Sequence, residues 1–164
     1  MKIVVGSDHA GFPMKAEMLA FLKKQAEGAK YITSVCTGSL VLGAAGLLKG
    51  YRATTHWSAM EGLAPFGAIP TKTRVCTDRN RVTGGGVTAG IDFALTLVSQ
   101  MIDRKTAEAI QLRLEYNPVP PFNSGSPDTA PADILAMWQE RIAPHKQRRM
   151  EMIQRAAARL AETA

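Results

Sequence analysis

The stretch TSVCTGSL, residues 33–40, places Cys36 between a short β-branched run and a helix-like run rich in small residues. Unpaired backbone N–H groups and the positive dipole end at a helix start favour a thiolate over a thiol. A sharp strand-to-helix turn also lifts the sulfur to where a substrate can reach it. The small residues Gly38 and Ser39 allow the helix to begin close to the strand. On spacing alone, a reactive cysteine and a buried cysteine that fills space are equally good interpretations.

Strands and helices are predicted to alternate around this stretch. Residues 2–6 form a β-branched run closed by glycine, and residues 14–27 carry apolar side chains at helical spacing. Residues 31–35 are a second strand, and residues 37–48 are a second helix. This order predicts a parallel sheet covered on both faces. We therefore expect an α/β fold, a flavodoxin-like or Rossmann-like three-layer sandwich with a mostly parallel sheet.

The remainder of the chain continues in the same manner. Its predicted elements are a short strand at 52–55, a short helix at 57–63, a hairpin at 74–83, helices at 88–103 and 106–116, a proline-rich loop at 117–131, and a helical region at 134–161 interrupted or kinked at Pro144. There is no internal repeat and no clean boundary. We expect a single domain over residues 1–164, a length that can bury well over half of its unfolded surface.

The amino-acid composition limits the classes of protein to which the chain can belong. The content of 46% apolar and 21% charged residues is typical of a globular protein. No apolar run approaches the roughly 20 residues that span a bilayer, so no membrane partner is expected. The two cysteines lie in separate segments and make no disulfide framework, which favours a reducing, cytoplasmic location.

Positive charge is concentrated near the C-terminus. The net charge is +6, with basic residues at 145–149, Arg155 and Arg159. Such a patch can attract phosphate backbones. Glu151 precedes Arg155 by four residues, however, and apolar residues recur at helical spacing, which favours a solvated helix face. We expect no nucleic-acid partner.

Several separated motifs resemble the ThiJ/PfpI superfamily. They are Cys36 itself, GAAGLL at 43–48, RATTHW at 52–57 and TGGGVTAGID at 83–92. Within the superfamily, the isonitrile hydratases are most similar, through LEYNP at 114–118 and PFNSGSPD at 121–128. The resemblance covers about residues 19–164. The same core also occurs in AraC-type regulators, but no helix-turn-helix pair is recognisable, which disfavours that class.

The resemblance implies a specific chemistry. In isonitrile hydratases a cysteine attacks the isonitrile carbon, and hydration of the adduct yields an N-substituted formamide. Cys36 matches that nucleophile, and Thr37 matches a neighbouring threonine that assists. Gly38 and His56 are expected at the substrate, although a histidine packed beside Trp57 is the favoured alternative for His56. The resemblance implies a small-molecule substrate, no cofactor, no metal and a homodimer.

The first residues resemble a different family. GSDHAGF at 6–12 is similar to type B ribose-5-phosphate isomerases, in which the aspartate-histidine pair helps to bind and open the sugar. This resemblance covers residues 1–18. The acid-bearing first strand and Pro-Gly-Gly loop of the hydratases are not recognisable. We therefore interpret the chain as a chimera joined near residues 18–21, with a ThiJ/PfpI fold shortened at its N-terminal side.

Asp8 and His9 follow the first strand, as Cys36 follows the second. Parallel neighbouring strands would bring all three to one sheet edge, where such folds bind ligands. Asp8 could then stand in for the hydratase acid, or it could cap the following helix. The functional hypotheses are an isonitrile hydratase of impaired activity, a folded chimera without native activity, and a sugar-phosphate isomerase.

Overall fold

The computed structural model describes the backbone of residues 3–8 and the complete residues 16–162. The strands are β1 Ile3–Asp8, β2 Tyr31–Cys36, β3 Arg52–Ala53, β4 Ile69–Pro70, β5 Val75–Asp78 and β6 Arg81–Gly84. The α-helices are α1 Ala16–Ala26, α2 Gly38–Ala44, α3 Ala89–Met101, α4 Arg104–Arg113 and α5 Ala132–Glu162. Two 3-10 helices cover Trp57–Gly62 and Ala64–Phe66.

The main sheet has four strands in the order β1-β2-β6-β5. β2 is parallel to both of its neighbours, β1 and β6. β5 is antiparallel to β6, and the turn between them places Arg79 in the left-handed region with φ 54°. The prediction of a mostly parallel sheet is confirmed, as is the hairpin at 74–83.

Helices cover both faces of this sheet. On one face α1 and α2 contact β1, and α5 packs on α2. On the other face α3 contacts β2, β5 and β6 and carries α4 outside it. The expected three-layer α/β fold is therefore confirmed. The core lies mainly between β2, α2 and α5, where the fully buried side chains include Ile32, Leu42, Leu48 and Ile153.

Three elements differ from the sequence prediction. The strand expected at 52–55 ends at Ala53 and pairs with β4, which the sequence did not reveal, in a separate two-stranded sheet. α2 ends at Ala44 rather than at 48, because Gly46 turns the chain with φ 73°. α5 runs through Pro144 without interruption, so the predicted break is wrong, whereas the alternative of a kink at this proline stays a prediction. Glu140, whose carbonyl lacks the usual partner there, is exposed, so water can replace the lost bond.

α5 is amphipathic in its second half. Ile153 and Ala156 are buried, and Met150, Ala157 and Leu160 pack against the same core. Within the described part of the chain, no helix is both long enough and apolar enough to cross a bilayer.

Candidate functional site

Cys36 lies in a strained turn at the end of β2. Its φ is 53°, in the left-handed region that a non-glycine residue enters at a cost of about 1–3 kcal/mol. Its backbone N–H donates a 2.8 Å hydrogen bond to the carbonyl of Gly85, and its own carbonyl accepts a 2.8 Å bond from the Thr55 hydroxyl. Both polar groups of the strained residue are therefore held by neighbouring segments. Cys36 is half-buried and forms no disulfide. The predicted strand-to-helix elbow is present, because β2 ends at Cys36 and α2 begins at Gly38.

A buried chain of hydrogen-bonded hydroxyl groups connects the segments that meet at the Cys36 turn. Ser39, in the first turn of α2, donates a 2.7 Å bond to the Thr54 carbonyl and lies 2.7 Å from the Ser34 hydroxyl. Because the one hydroxyl proton of Ser39 goes to Thr54, Ser34 must donate to Ser39. The Thr54 N–H in turn donates to the Thr83 hydroxyl at 2.9 Å. These bonds join β2, α2, β6 and the segment after β3 around the cysteine.

The structure describes some of the residues that are expected beside Cys36 more fully than others. Asp8 is paired with Cys36 in the parallel register of β1 and β2, so the backbones of these two residues meet at one sheet edge, as predicted. His9 lies outside the described residues. Thr37 is the N-cap of α2, and Gly38 is its buried first residue. The catalytic role of Asp8 and Thr37 and the substrate contact of Gly38 stay predictions.

His56 follows β3, and Ser58 holds the Nδ1 side of its ring. Its Nδ1 accepts a 3.3 Å bond from the Ser58 N–H and lies 2.8 Å from the Ser58 hydroxyl. A neutral ring therefore carries its proton on Nε2. Burial, and secondly the charge of Arg149, lower the pKa of His56. The His56 ring also packs beside the Trp57 ring, with the two ring centroids 5.6 Å apart. The sequence favours this packing for His56 over contact with a substrate.

The loop after β6 lies close to the side chain of His56. A Cβ at Gly86 would lie 3.1 Å from Cδ2 of His56, so a side chain at this position would require the imidazole to move by a few tenths of an ångström. The preceding Gly85 is the residue whose carbonyl accepts from Cys36. The TGGG motif thereby links the cysteine turn to the histidine.

Arg149 corrects the prediction of a solvated basic face on the last helix. Its side chain is half-buried and donates a hydrogen bond to the Ser58 carbonyl. Burial lowers the pKa of its guanidinium, while the charges of Glu61 and Cys36 act in the opposite direction. Its neighbour Arg148 is exposed. The signal was available, because Arg149 precedes the buried Ile153 by four residues on the same helix face.

Two of the cavities that the described residues line have His56 in their walls. One of about 300 Å³ is largely apolar, with Trp57, Trp138, Ile134, Leu135 and Ile142 in its wall. The other, of about 450 Å³, lies on the TGGG side and is more polar. Its wall includes Thr55, Lys72, Arg74, Gly85 and Gly86.

Comparison with known proteins gives three matches that bear on this geometry. Residues 3–100 match the model of the DJ-1/PfpI family. An isonitrile hydratase of Pseudomonas putida is 57% identical over 144 residues, which cover 88% of this chain and 63% of the relative. The crystal structure of a ThiJ/PfpI family protein from Pseudomonas syringae has a TM-score of 0.86 and 49% identity. The match covers 96% of this chain and 65% of that one.

More distant similarity extends to regulators. The HTH-type transcriptional regulator GbdR of Pseudomonas aeruginosa is 36% identical over 102 residues, or 61% of this chain and 28% of the relative. The chain spans 63% of the length of the hydratase and 65% of that of the solved ThiJ/PfpI protein.

Proposed function

The chain belongs to the DJ-1/PfpI family, and from this premise we propose that it hydrates isonitriles to N-substituted formamides with Cys36 as nucleophile. The observation that carries the proposal is the left-handed turn at Cys36, held by Gly85 and Thr55, in a chain 57% identical to an isonitrile hydratase. Strained backbone held by hydrogen bonds is common at functional sites, and a half-buried cysteine in such a turn suits a nucleophile.

The reaction adds one water to the isonitrile. The Cys36 thiolate forms an S–C bond to the terminal carbon, and this carbon takes up a proton to give a thioimidate. Water then adds across the C=N bond, with its oxygen on carbon and a proton on nitrogen. The C–S bond breaks as the hydroxyl proton departs, which releases the formamide and regenerates the thiolate. A proton donor and a positioned water are therefore needed near the sulfur.

Asp8 is our candidate for proton transfer at this site. Support comes from the β1–β2 register, in which the residue paired with Cys36 is Asp8. Thr37, directly after the nucleophile, is proposed to assist as its counterpart does in the resembling hydratases. Gly38, His9 and His56 are proposed to contact the substrate.

The apolar cavity beside His56 is our candidate for the substituent on the isonitrile nitrogen. Indole and aliphatic side chains in its wall suit an alkyl or aryl group, and its volume of about 300 Å³ suits a small one. We also propose a homodimer, because large apolar side chains are exposed in the region of α4 and the loop after it, namely Leu112, Leu114, Val119 and Phe122.

The isomerase resemblance falls on residues 1–18, of which the structure describes only the β1 backbone and the start of α1. The match to the DJ-1/PfpI family begins at residue 3, inside that stretch. An origin of those residues in a second family stays a prediction. The same holds for a chimera without native activity and for a sugar-phosphate isomerase.

The test is turnover of cyclohexyl isocyanide by purified protein, with the formamide product followed by chromatography. Product from the unmodified chain and none from Cys36→Ala would support the proposal. Cys76→Ala is the matched control, because Cys76 is the other cysteine and is buried in β5. Equal turnover by Cys36→Ala, or no turnover by a folded protein, would refute it.

A further inference from the structure

We propose that Trp57 is a specificity-determining residue of the hydration proposed above, and the role assigned to it rests on that function. Its indole closes one side of the apolar cavity beside His56 and thereby restricts the substrates to isonitriles with a compact apolar substituent on nitrogen. Three observations support this role: the place of Trp57 among three cavities, its connection to the Cys36 turn, and the contacts that hold its surroundings.

Trp57 lies in the walls of three neighbouring cavities. They are the apolar cavity of about 300 Å³, the more polar cavity of about 450 Å³, and a third of about 690 Å³ between the first 3-10 helix and α5. Pro127, from the loop that precedes α5, is also in all three walls. Trp57 and Pro127 therefore border the constriction at which the three cavities adjoin, one from the 3-10 helix and the other from the loop.

The more polar cavity connects Trp57 with the candidate nucleophile. Its wall contains Thr55 and Gly85, the two residues that are hydrogen-bonded to the backbone of Cys36. Trp57 follows Thr55 by two positions and lies in the same wall. The reacting carbon of the isonitrile therefore belongs on the side of the Cys36 turn, and the substituent on nitrogen extends past Trp57 into the apolar cavity.

Contacts on both sides hold this constriction. On the helix side, Trp57 is the first residue of the 3-10 helix, His56 is the N-cap of that helix, and the two rings pack with their centroids 5.6 Å apart. On the loop side, Asp128 follows Pro127 and accepts a 2.6 Å hydrogen bond from the ammonium group of Lys72. The indole therefore has restricted freedom to move aside for a larger substituent.

Trp138 forms a different part of the apolar cavity. It comes from α5 together with Ile134 and Ile142, which lie one helical turn before and after it. Trp138 is 44% exposed, so this end of the cavity opens to solvent. Loss of the Trp57 indole would join the apolar cavity to its two larger neighbours, whereas loss of the Trp138 indole would remove apolar surface at the open end.

The test is the binding of two formamide products that differ by one ring, N-phenylformamide and N-(4-biphenylyl)formamide, measured by titration calorimetry. A larger apolar group buries more surface, so an unobstructed cavity would bind the biphenyl compound more tightly. We expect the unmodified chain to prefer the phenyl compound. In Trp57→Leu the ratio of the two dissociation constants should shift about tenfold in favour of the biphenyl compound. Trp138→Leu is the matched control and should weaken the binding of both compounds by similar factors.

Tighter binding of the biphenyl compound by the unmodified chain, or binding of neither compound, would overturn the role of Trp57. An unchanged ratio in folded Trp57→Leu, or an equal shift in Trp138→Leu, would do the same. Should Trp57→Leu fail to fold, Trp57→Phe decides, because loss of one ring of the indole must shift the ratio in the same direction. Formamide binding requires no turnover, so a binding preference without turnover would refute the hydration alone. If the chain does hydrate isonitriles, Trp57→Leu should raise kcat/KM for biphenyl isocyanide relative to phenyl isocyanide.

Discussion

The hydroxyl of Thr55 donates a 2.8 Å hydrogen bond to the carbonyl of Cys36, the residue with φ 53° at the end of β2. Thr55 is 2% exposed, so the bond is protected from water. Together with the bond from the Cys36 N–H to Gly85, it holds an unfavourable backbone conformation from two sides. The geometry of the sulfur therefore depends on two residues outside the cysteine motif itself.

Replacing Thr55 with valine should loosen this turn. The substitution keeps the shape of the side chain but leaves the Cys36 carbonyl without this donor, at a cost of about 1–3 kcal/mol in the free energy of unfolding. We also expect slower alkylation of Cys36 at neutral pH. Denaturant unfolding and iodoacetamide kinetics measure the two effects. Thr55→Ser keeps the hydroxyl and is the control; equal losses in both variants would mean that packing rather than the hydrogen bond matters.

Ser39→Ala should destabilise the buried hydroxyl chain. It deprives the Ser34 hydroxyl of its acceptor and the Thr54 carbonyl of its donor, both in the interior. We expect a loss of about 1–3 kcal/mol in the free energy of unfolding, measured in urea. The control is Ser99→Ala, in which the lost bond is a helical one to the Thr96 carbonyl. A loss no larger than in this control would show that the buried hydroxyl chain contributes little to the free energy of unfolding.

Gly62→Ala should conflict with α5. The added Cβ would lie 2.6 Å from Cδ1 of Ile153, and overpacking of this kind costs about 1–3 kcal/mol. Ile153→Val removes that Cδ1 atom, so the cost of Gly62→Ala should be smaller in the Ile153→Val background. A double-mutant cycle of unfolding free energies measures the difference. Additive effects would argue against the close contact of Ile153 with Gly62 through which α5 packs on the 3-10 helix.

The stability of the protein should depend on pH through His56. Burial and then Arg149 lower its pKa in the folded state, so the unfolded chain binds the proton more tightly. This contribution to stability is complete above the unfolded pKa of about 6.5 and is lost as the pH falls from there to the lowered folded value. Unfolding free energies across this window should fall less steeply in His56→Gln. An identical slope in that variant would contradict the assignment.

The local parts of this structure could be predicted from the sequence. Strand, helix and turn periodicities around Cys36 depend on neighbouring residues, so the three-layer fold, the hairpin at 74–83 and the turn after β2 were predicted correctly. The pairing of β3 with β4 was missed because each strand has two residues, too few to show a period. The end of α2 was placed late because Gly46 lies within a run of small and apolar residues that also suits a helix.

The sequence by itself determined the fold class and the position of the candidate nucleophile. The fold class follows from patterns that repeat within a few residues. The candidate nucleophile follows from the strand-to-helix spacing around Cys36 together with the resemblance of several separated motifs to one superfamily. Only the tertiary structure decided which distant residues are hydrogen-bonded around Cys36 and His56. Arg149 and its partner Ser58 are separated by 91 positions, and Thr55 and Cys36 by 19. Such contacts arise from the packing of α5 on α2 and of β3 beside the sheet, and a side chain's own segment carries no record of which distant group it will meet.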